Sequence, residues 1–251
     1  MKKLIILVFL FLISTSFTIN YNSLHVKDNL RIKPLSNPQN ESVEYYRKQI
    51  NRAFSLLKKQ KKFIDLELNK SEKVQILSIA FPEMLRYDSY SDYLETSSNR
   101  ILYVDEGKNA SDFSTGYFQM KPSFIEDLED YVAKNKNLQQ YNWILIPNKN
   151  EIEARKERIK RLANFQWQLR YLKAFWYVAE LKFQNIDFKT TEDKIRFFAT
   201  AYNYGFTKPE KEITKYQSAK KFSPEETNTR KFAFADFSID FVMTYSYFFD
   251  Q

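Results

Sequence analysis

Few residues in this chain have a type and setting suited to chemistry. Glu83 lies in Ile79-Ala80-Phe81-Pro82-Glu83-Met84-Leu85, a lone carboxylate in an apolar helical stretch. It follows a proline, which removes one rung of a helical hydrogen-bond ladder. If it lines a cleft floored by those side chains, desolvation disfavours the charged form and raises its pKa, as a general acid near neutral pH requires. The plainer reading is a helix-end glutamate paired with Arg86 or facing water. Glycine gives the second signal. The chain has only three, Gly107, Gly116 and Gly205, and so sparing a use points to places where positive φ or close backbone approach is needed. Gly116 stands in Phe113-Ser114-Thr115-Gly116-Tyr117-Phe118-Gln119-Met120-Lys121-Pro122 and Gly205 in Ala199-Thr200-Ala201-Tyr202-Asn203-Tyr204-Gly205. A helix cap or an ordinary turn is the alternative for each.

Hydrophobic periodicity supplies the elements that must hold these residues. Tyr45, Ile50, Phe54, Leu56 and Leu57 recur at helical spacing, and Phe63, Leu66 and Leu68 follow in a shorter pattern. Ser71 and Glu72 open a third helix, whose Val74, Leu77, Ile79, Ala80 and Phe81 are apolar nearly all round, as in a helix buried at the centre of a bundle. Residues 88–114 are rich in Tyr, Ser, Asp and Asn; Ile101-Leu102-Tyr103-Val104 suggests a strand, so a loop or small hairpin is expected there. Ser123 with Glu126 three residues on spells a capping box after Pro122. A long helical pattern over 151–183 is expected as two helices or one bent helix, with the change near Ala163-Asn164, and further helices are expected over 192–204 and 233–249. The class is mainly α with a minor β element near residue 102.

In this order and setting the segments resemble the lytic transglycosylase and goose-type lysozyme superfamily. That family shows a catalytic Glu at the end of a buried helix, a Gly-x-x-Gln segment followed by Pro and a helix, and a late Ala-Tyr-Asn-x-Gly. Here these are Glu83, then Gly116-Tyr117-Phe118-Gln119 with Pro122, then Ala201-Tyr202-Asn203-Tyr204-Gly205. The likeness covers residues 71–205, with Asn164 and Tyr171-Leu172 of the long helix adding to it. It implies a lysozyme-like α (α+β) domain over 42–251 with a minor β-hairpin or loop insertion near residues 88–114. Two departures stand out: Met84 follows the Glu where the family usually has Ser, and Glu83 and Gln119 are 36 positions apart, wider than the family commonly shows.

The resemblance implies cleavage of the MurNAc-GlcNAc bond of peptidoglycan glycan strands, with Glu83 as acid and then base. Gln119 would orient sugar groups, Tyr202 would position or hydrogen-bond the Glu83 carboxyl, Asn203 would shape the same wall, and Tyr117 and Met120 would contact substrate. A hydrolytic muramidase would need a second carboxylate about 6.5 to 9.5 Å away, for which Asp105 and Asp112 are the candidates. A non-catalytic glycan-binding envelope protein on the same fold is the reading that Met84 favours. Fold likeness alone does not decide among these.

Composition narrows the setting. Met1-Lys2-Lys3, an apolar run over 4–13 and Ser14-Thr15-Ser16 have the three regions of a signal peptide. The run of roughly ten apolar residues is half the 20 or so that a membrane span needs. An exported bacterial protein of the periplasm or envelope is expected, with a cleaved signal over 1–20, an arm over 21–41 and no stable transmembrane segment. Without cysteine it is neither a lipoprotein nor disulfide-bonded. A formal charge of +8 favours anionic polymers. Lys and Arg are interspersed with Asp and Glu, which speaks against nucleic acid. His25 is the only histidine, no metal-ligand spacing is seen, and neither metal nor cofactor is expected. A monomer is expected.

Overall fold

Residues 45–147, 150–224 and 230–249 are described in the computed structural model of the chain. The expected signal (1–20) and arm (21–41) lie outside the described residues. The fold is mainly helical. Helix α1 (Arg47–Lys59) buries Ile50, Ala53, Phe54 and Leu57, a one-sided i, i+3, i+4, i+7 stripe. After the short α2 (Lys61–Glu67) comes α3 (Lys70–Arg86), which carries Glu83. Its cap is Asn69, two residues earlier than the sequence suggests: the Asn69 side chain accepts from Glu72 N, and the Glu72 carboxylate accepts from Asn69 N. All of residues 76–85 are buried, and the helix continues through Pro82.

Residues 88–114 depart from the expected hairpin or loop. They begin as helix α4 (Ser89–Ser98), which runs through a π-helical turn (Asn99–Tyr103) into a last turn (Val104–Glu106). Four adjacent apolar residues cannot tell strand from helix by periodicity. Burial decides it: the neighbours Tyr103 and Val104 are both inside while Ile101 is exposed, a one-sided helical pattern and not strand alternation. Gly107, at φ 86°, ends the segment and donates to Tyr103 O.

Helix α5 (Pro122–Lys134) does not use the expected Ser123–Glu126 box. Ser123 already lies inside the helix, and Asp112 reaches across to accept from its backbone N at 2.8 Å and its hydroxyl at 2.7 Å. Glu126 turns instead to the Tyr103 hydroxyl (2.8 Å) and Lys108 (3.2 Å). A carboxylate from a neighbouring loop has taken the place of the local cap, because a charge-assisted bond to a helix N-terminus is the stronger one.

A 3-10 helix (Lys136–Ile144) leads to α6 (Glu151–Leu162) and α7 (Phe165–Lys182). The break falls at Ala163-Asn164, where Asn164 caps α7 by accepting from Trp167 N. Helix α8 (Thr191–Tyr204) ends at Gly205, φ 114°, and α9 (Glu210–Tyr216) follows. The small antiparallel pair β1 (Lys220–Phe222) and β2 (Phe232–Ala233) is the sheet of the described residues, far in sequence from residue 102. The last helix, α10 (Phe234–Phe249), packs on α3 and α8. Its Phe241 stacks on Phe54 at 5.4 Å and meets Phe81 at 4.8 Å, so aromatic burial fastens the end of the chain to the helix that carries Glu83. Among the described residues no helix is long and apolar enough to cross a membrane.

Candidate active site

Glu83 sits one turn from the end of α3, where the buried helix meets a cleft of about 610 Å³. The cleft is lined by the α3 terminus with Glu83 and Arg86; the α4 segment and its following loop with Asp92, Asp112 and Phe113; the turn bearing Gln119, Met120 and Lys121; Phe124 of α5; the end of α8 with Tyr202 and Asn203; and Pro224. Three short motifs distant in sequence thus share one cavity.

The Glu83 carboxyl is 9% exposed, and among the described residues no side chain hydrogen-bonds it. Burial pushes its pKa from 4.5 up to about 7, with Arg86 and then Lys121 pulling weakly the other way. This is the desolvated-carboxyl case, in which the neutral acid persists toward neutral pH. Pairing with Arg86 does not occur; that guanidinium lies over the Phe222 ring at 4.8 Å. Met84 is fully buried in the core, so the position after Glu83 offers the cleft no hydroxyl.

The Gly116-to-Gln119 segment is a tight turn closed by a Thr115–Met120 bridge, with N···O distances of 2.9 and 3.1 Å. Gly116 has φ 76°, and a Cβ there would come within 1.7 Å of Gln168 Nε2. Both reasons for glycine, positive φ and close approach, hold at once. Gln119 is itself left-handed at φ 49°, and its side-chain amide donates to Gly116 O at 2.8 Å. The turn is gripped from three helices. Gln168 of α7 accepts from Phe118 N at 3.0 Å and donates to Leu162 O at 2.6 Å. Tyr202 of α8 donates to Phe118 O at 2.6 Å. Asp92 of α4 accepts from Gly116 N.

This changes the part expected of Tyr202. Its hydroxyl is committed to the turn and does not bond Glu83. Burial, and then the Glu83 charge, hold its pKa well above the ordinary tyrosine value, so it stays a neutral donor. Asn203 is exposed at the cleft wall. Met120 borders the cleft yet is 1% exposed, which leaves little of it for a ligand. Tyr117 does not line the cleft: its ring packs 4.6 Å from Tyr87 and 5.5 Å from Phe165, and Phe118 is fully buried. Asp105 lies exposed on the last turn of the α4 segment, away from the cleft lining. Asp112 lines the cleft, but both its oxygens are engaged by Ser123.

Asp92, Lys121 and Gln168 are the site residues that sequence reasoning missed. Asp92 lines the cleft with its pKa raised by burial, opposed by the Gly116 N–H. It is one of several acids in a polar run, with nothing local to mark it. Gln168 did carry a mark, being a polar residue on the apolar stripe of Phe165, Leu169 and Leu172. A buried amide on such a stripe must bond something. No family model, curated protein or solved structure matches the chain, so what the cleft does has to be argued from the residues that line it.

Proposed function

We propose that the chain is a peptidoglycan lytic transglycosylase with a lysozyme-like fold, cleaving the MurNAc-GlcNAc β-1,4 bond with Glu83 as its one catalytic carboxyl. The observation that carries this reading is the desolvated Glu83 carboxyl, its pKa near 7, facing a cleft it shares with Gln119 and Asn203. As the neutral acid, Glu83 donates its proton to the glycosidic oxygen as the C–O bond breaks and oxocarbenium character develops at the anomeric carbon. The resulting carboxylate takes the proton of the muramoyl 6-hydroxyl as that oxygen bonds the anomeric carbon. The product is a 1,6-anhydro sugar, no water is consumed, and Glu83 ends protonated again.

The other side chains serve this step by position. Gln119 presents its amide oxygen, the nitrogen being held by Gly116 O, from a turn whose backbone is held by Gln168, Tyr202 and Asp92, so little ordering remains to be done when substrate arrives. A pKa near 7 suits one group that must both give and take a proton. The setting this reading implies is the bacterial envelope, reached by the export signal.

Hydrolysis by a muramidase is the second reading, and Asp92 is the observation in its favour. It lines the cleft with one oxygen accepting from Gly116 N and no other side-chain hydrogen bond among the described residues. Digestion of purified peptidoglycan by the mature protein, with products read by mass, separates the two. Anhydro-muropeptides from wild type and none from Glu83→Gln are expected. Reducing-end products would replace the transglycosylase reading with the muramidase one, and release by neither protein would end both.

A further inference from the structure

Phe113 lines the cleft and is 48% exposed, while the backbone beneath it is held by side-chain hydrogen bonds. Asn99, fully buried at the start of the π-helical turn, grips that backbone on both sides. Its Oδ1 accepts from Phe113 N at 3.2 Å, and its Nδ2 donates to Phe113 O at 2.7 Å and to Thr115 Oγ1 at 3.3 Å. Ser111 Oγ donates to the same Asn99 oxygen at 2.7 Å, and Asp112 is tied to Ser123. The chain on either side of Phe113 is therefore fixed, and the ring cannot withdraw from water by a small loop movement. Isolated π-turns are frequent at functional sites, and here the turn sets the residue that aims this loop.

The cleft that Phe113 lines is otherwise largely polar, with Asp88, Ser91, Asp92, Glu95 and Ser114 also in its lining. An apolar disc set in a hydrogen-bonding wall matches a ligand whose faces are C–H and whose edges are hydroxyl and amide, which describes a pyranose ring in a β-1,4-linked strand of N-acetylated amino sugars. A purely apolar ligand would strip water from those carboxylates without offering them a hydrogen bond in return. We propose that Phe113 is a stacking platform for one sugar ring of a glycan bound along the cleft, with Asn99 as its positioning residue. This rests on the glycan reading above, and adds a binding position outside the three motifs.

The test uses the full chain carrying Glu83→Gln, so that bound sugar is not turned over, titrated calorimetrically with a β-1,4 N-acetylglucosamine hexamer. Covering about 50 Å² of ring surface corresponds to roughly a five- to tenfold gain in affinity. Phe113→Ala in that background should weaken binding by this factor, and Phe113→Trp should restore it. Bound-state proton NMR should show upfield shifts of sugar C–H resonances that disappear in the alanine variant. The thermal unfolding temperature should fall only slightly, since the side chain is half in water. Undiminished affinity in Phe113→Ala would overturn the platform while leaving the glycan reading intact. A loss that Trp fails to restore would also overturn it. No binding by Glu83→Gln itself would overturn both together.

Discussion

Replacing Glu83 by glutamine should remove a pH dependence of stability, and the difference from wild type isolates the desolvation of this one carboxyl. In the folded protein the group titrates near 7, against 4.5 when unburied. Between those values the native chain holds a proton that the unfolded chain has released, so wild-type stability falls as pH rises, then levels off above about pH 7. A rise from 4.5 to about 7 corresponds to roughly 3 kcal/mol lost across that window. Glutamine has no proton to lose. Burying an imperfectly paired amide costs about 1–3 kcal/mol, but that cost is the same at every pH. Urea unfolding of both proteins at pH 4.5, 6 and 8 should therefore show the stability of Glu83→Gln, relative to wild type, improving by about 3 kcal/mol from the lowest pH to the highest. A difference that stays flat, or that shifts in favour of wild type with rising pH, would refute the claim that Glu83 is buried and raised. The catalytic proposal would fall with it, since a carboxyl ionised at pH 5 is no acid at pH 7.

Three further outcomes follow from the same geometry. Cleavage of peptidoglycan should decline as pH rises through about 7, as the acid form of Glu83 is lost; a rate still rising at pH 9 would argue against Glu83 as proton donor. Gly116→Ala should destabilise by about 3 kcal/mol, from φ 76° and a Cβ driven into Gln168, and a melting temperature within a degree or two of wild type would show that the turn is not so constrained. Asp112→Ala removes the acceptor for Ser123 at the start of α5 and should cost about 1 kcal/mol in denaturant unfolding. The ratio of anhydro to reducing-end products should stay unchanged, and a shift in that ratio would place Asp112 in the chemistry instead.

Much of the framework was readable from residue pattern, because period and punctuation are local. The stripes of α1 and α3, the break at Ala163-Asn164 and the ends of α8 and α10 all come from spacing, caps and glycine. Local reading failed where a distant group altered the outcome. The run 101–104 is apolar enough for a strand, but the inward side of a helix is where Tyr103 reaches Glu126 and Arg158. Ser123 and Glu126 spell a capping box, yet Asp112 caps the helix from another loop.

The candidate site divides in the same way. The sequence by itself marked Glu83, because a carboxylate in an apolar run is anomalous wherever the chain goes, and Gly116, because so few glycines are spent. It did not determine what Tyr202 bonds, that Tyr117 turns away from the cleft, or that Asp92, Gln168 and Asn99 hold the turn and loop around it. Those are bonds from helices to a turn 50 or more residues away or across a folded loop, and their partners are chosen only when packing brings the elements together. The strength of a lone acid is likewise settled by what covers it, and for Glu83 that cover exists only in the tertiary structure.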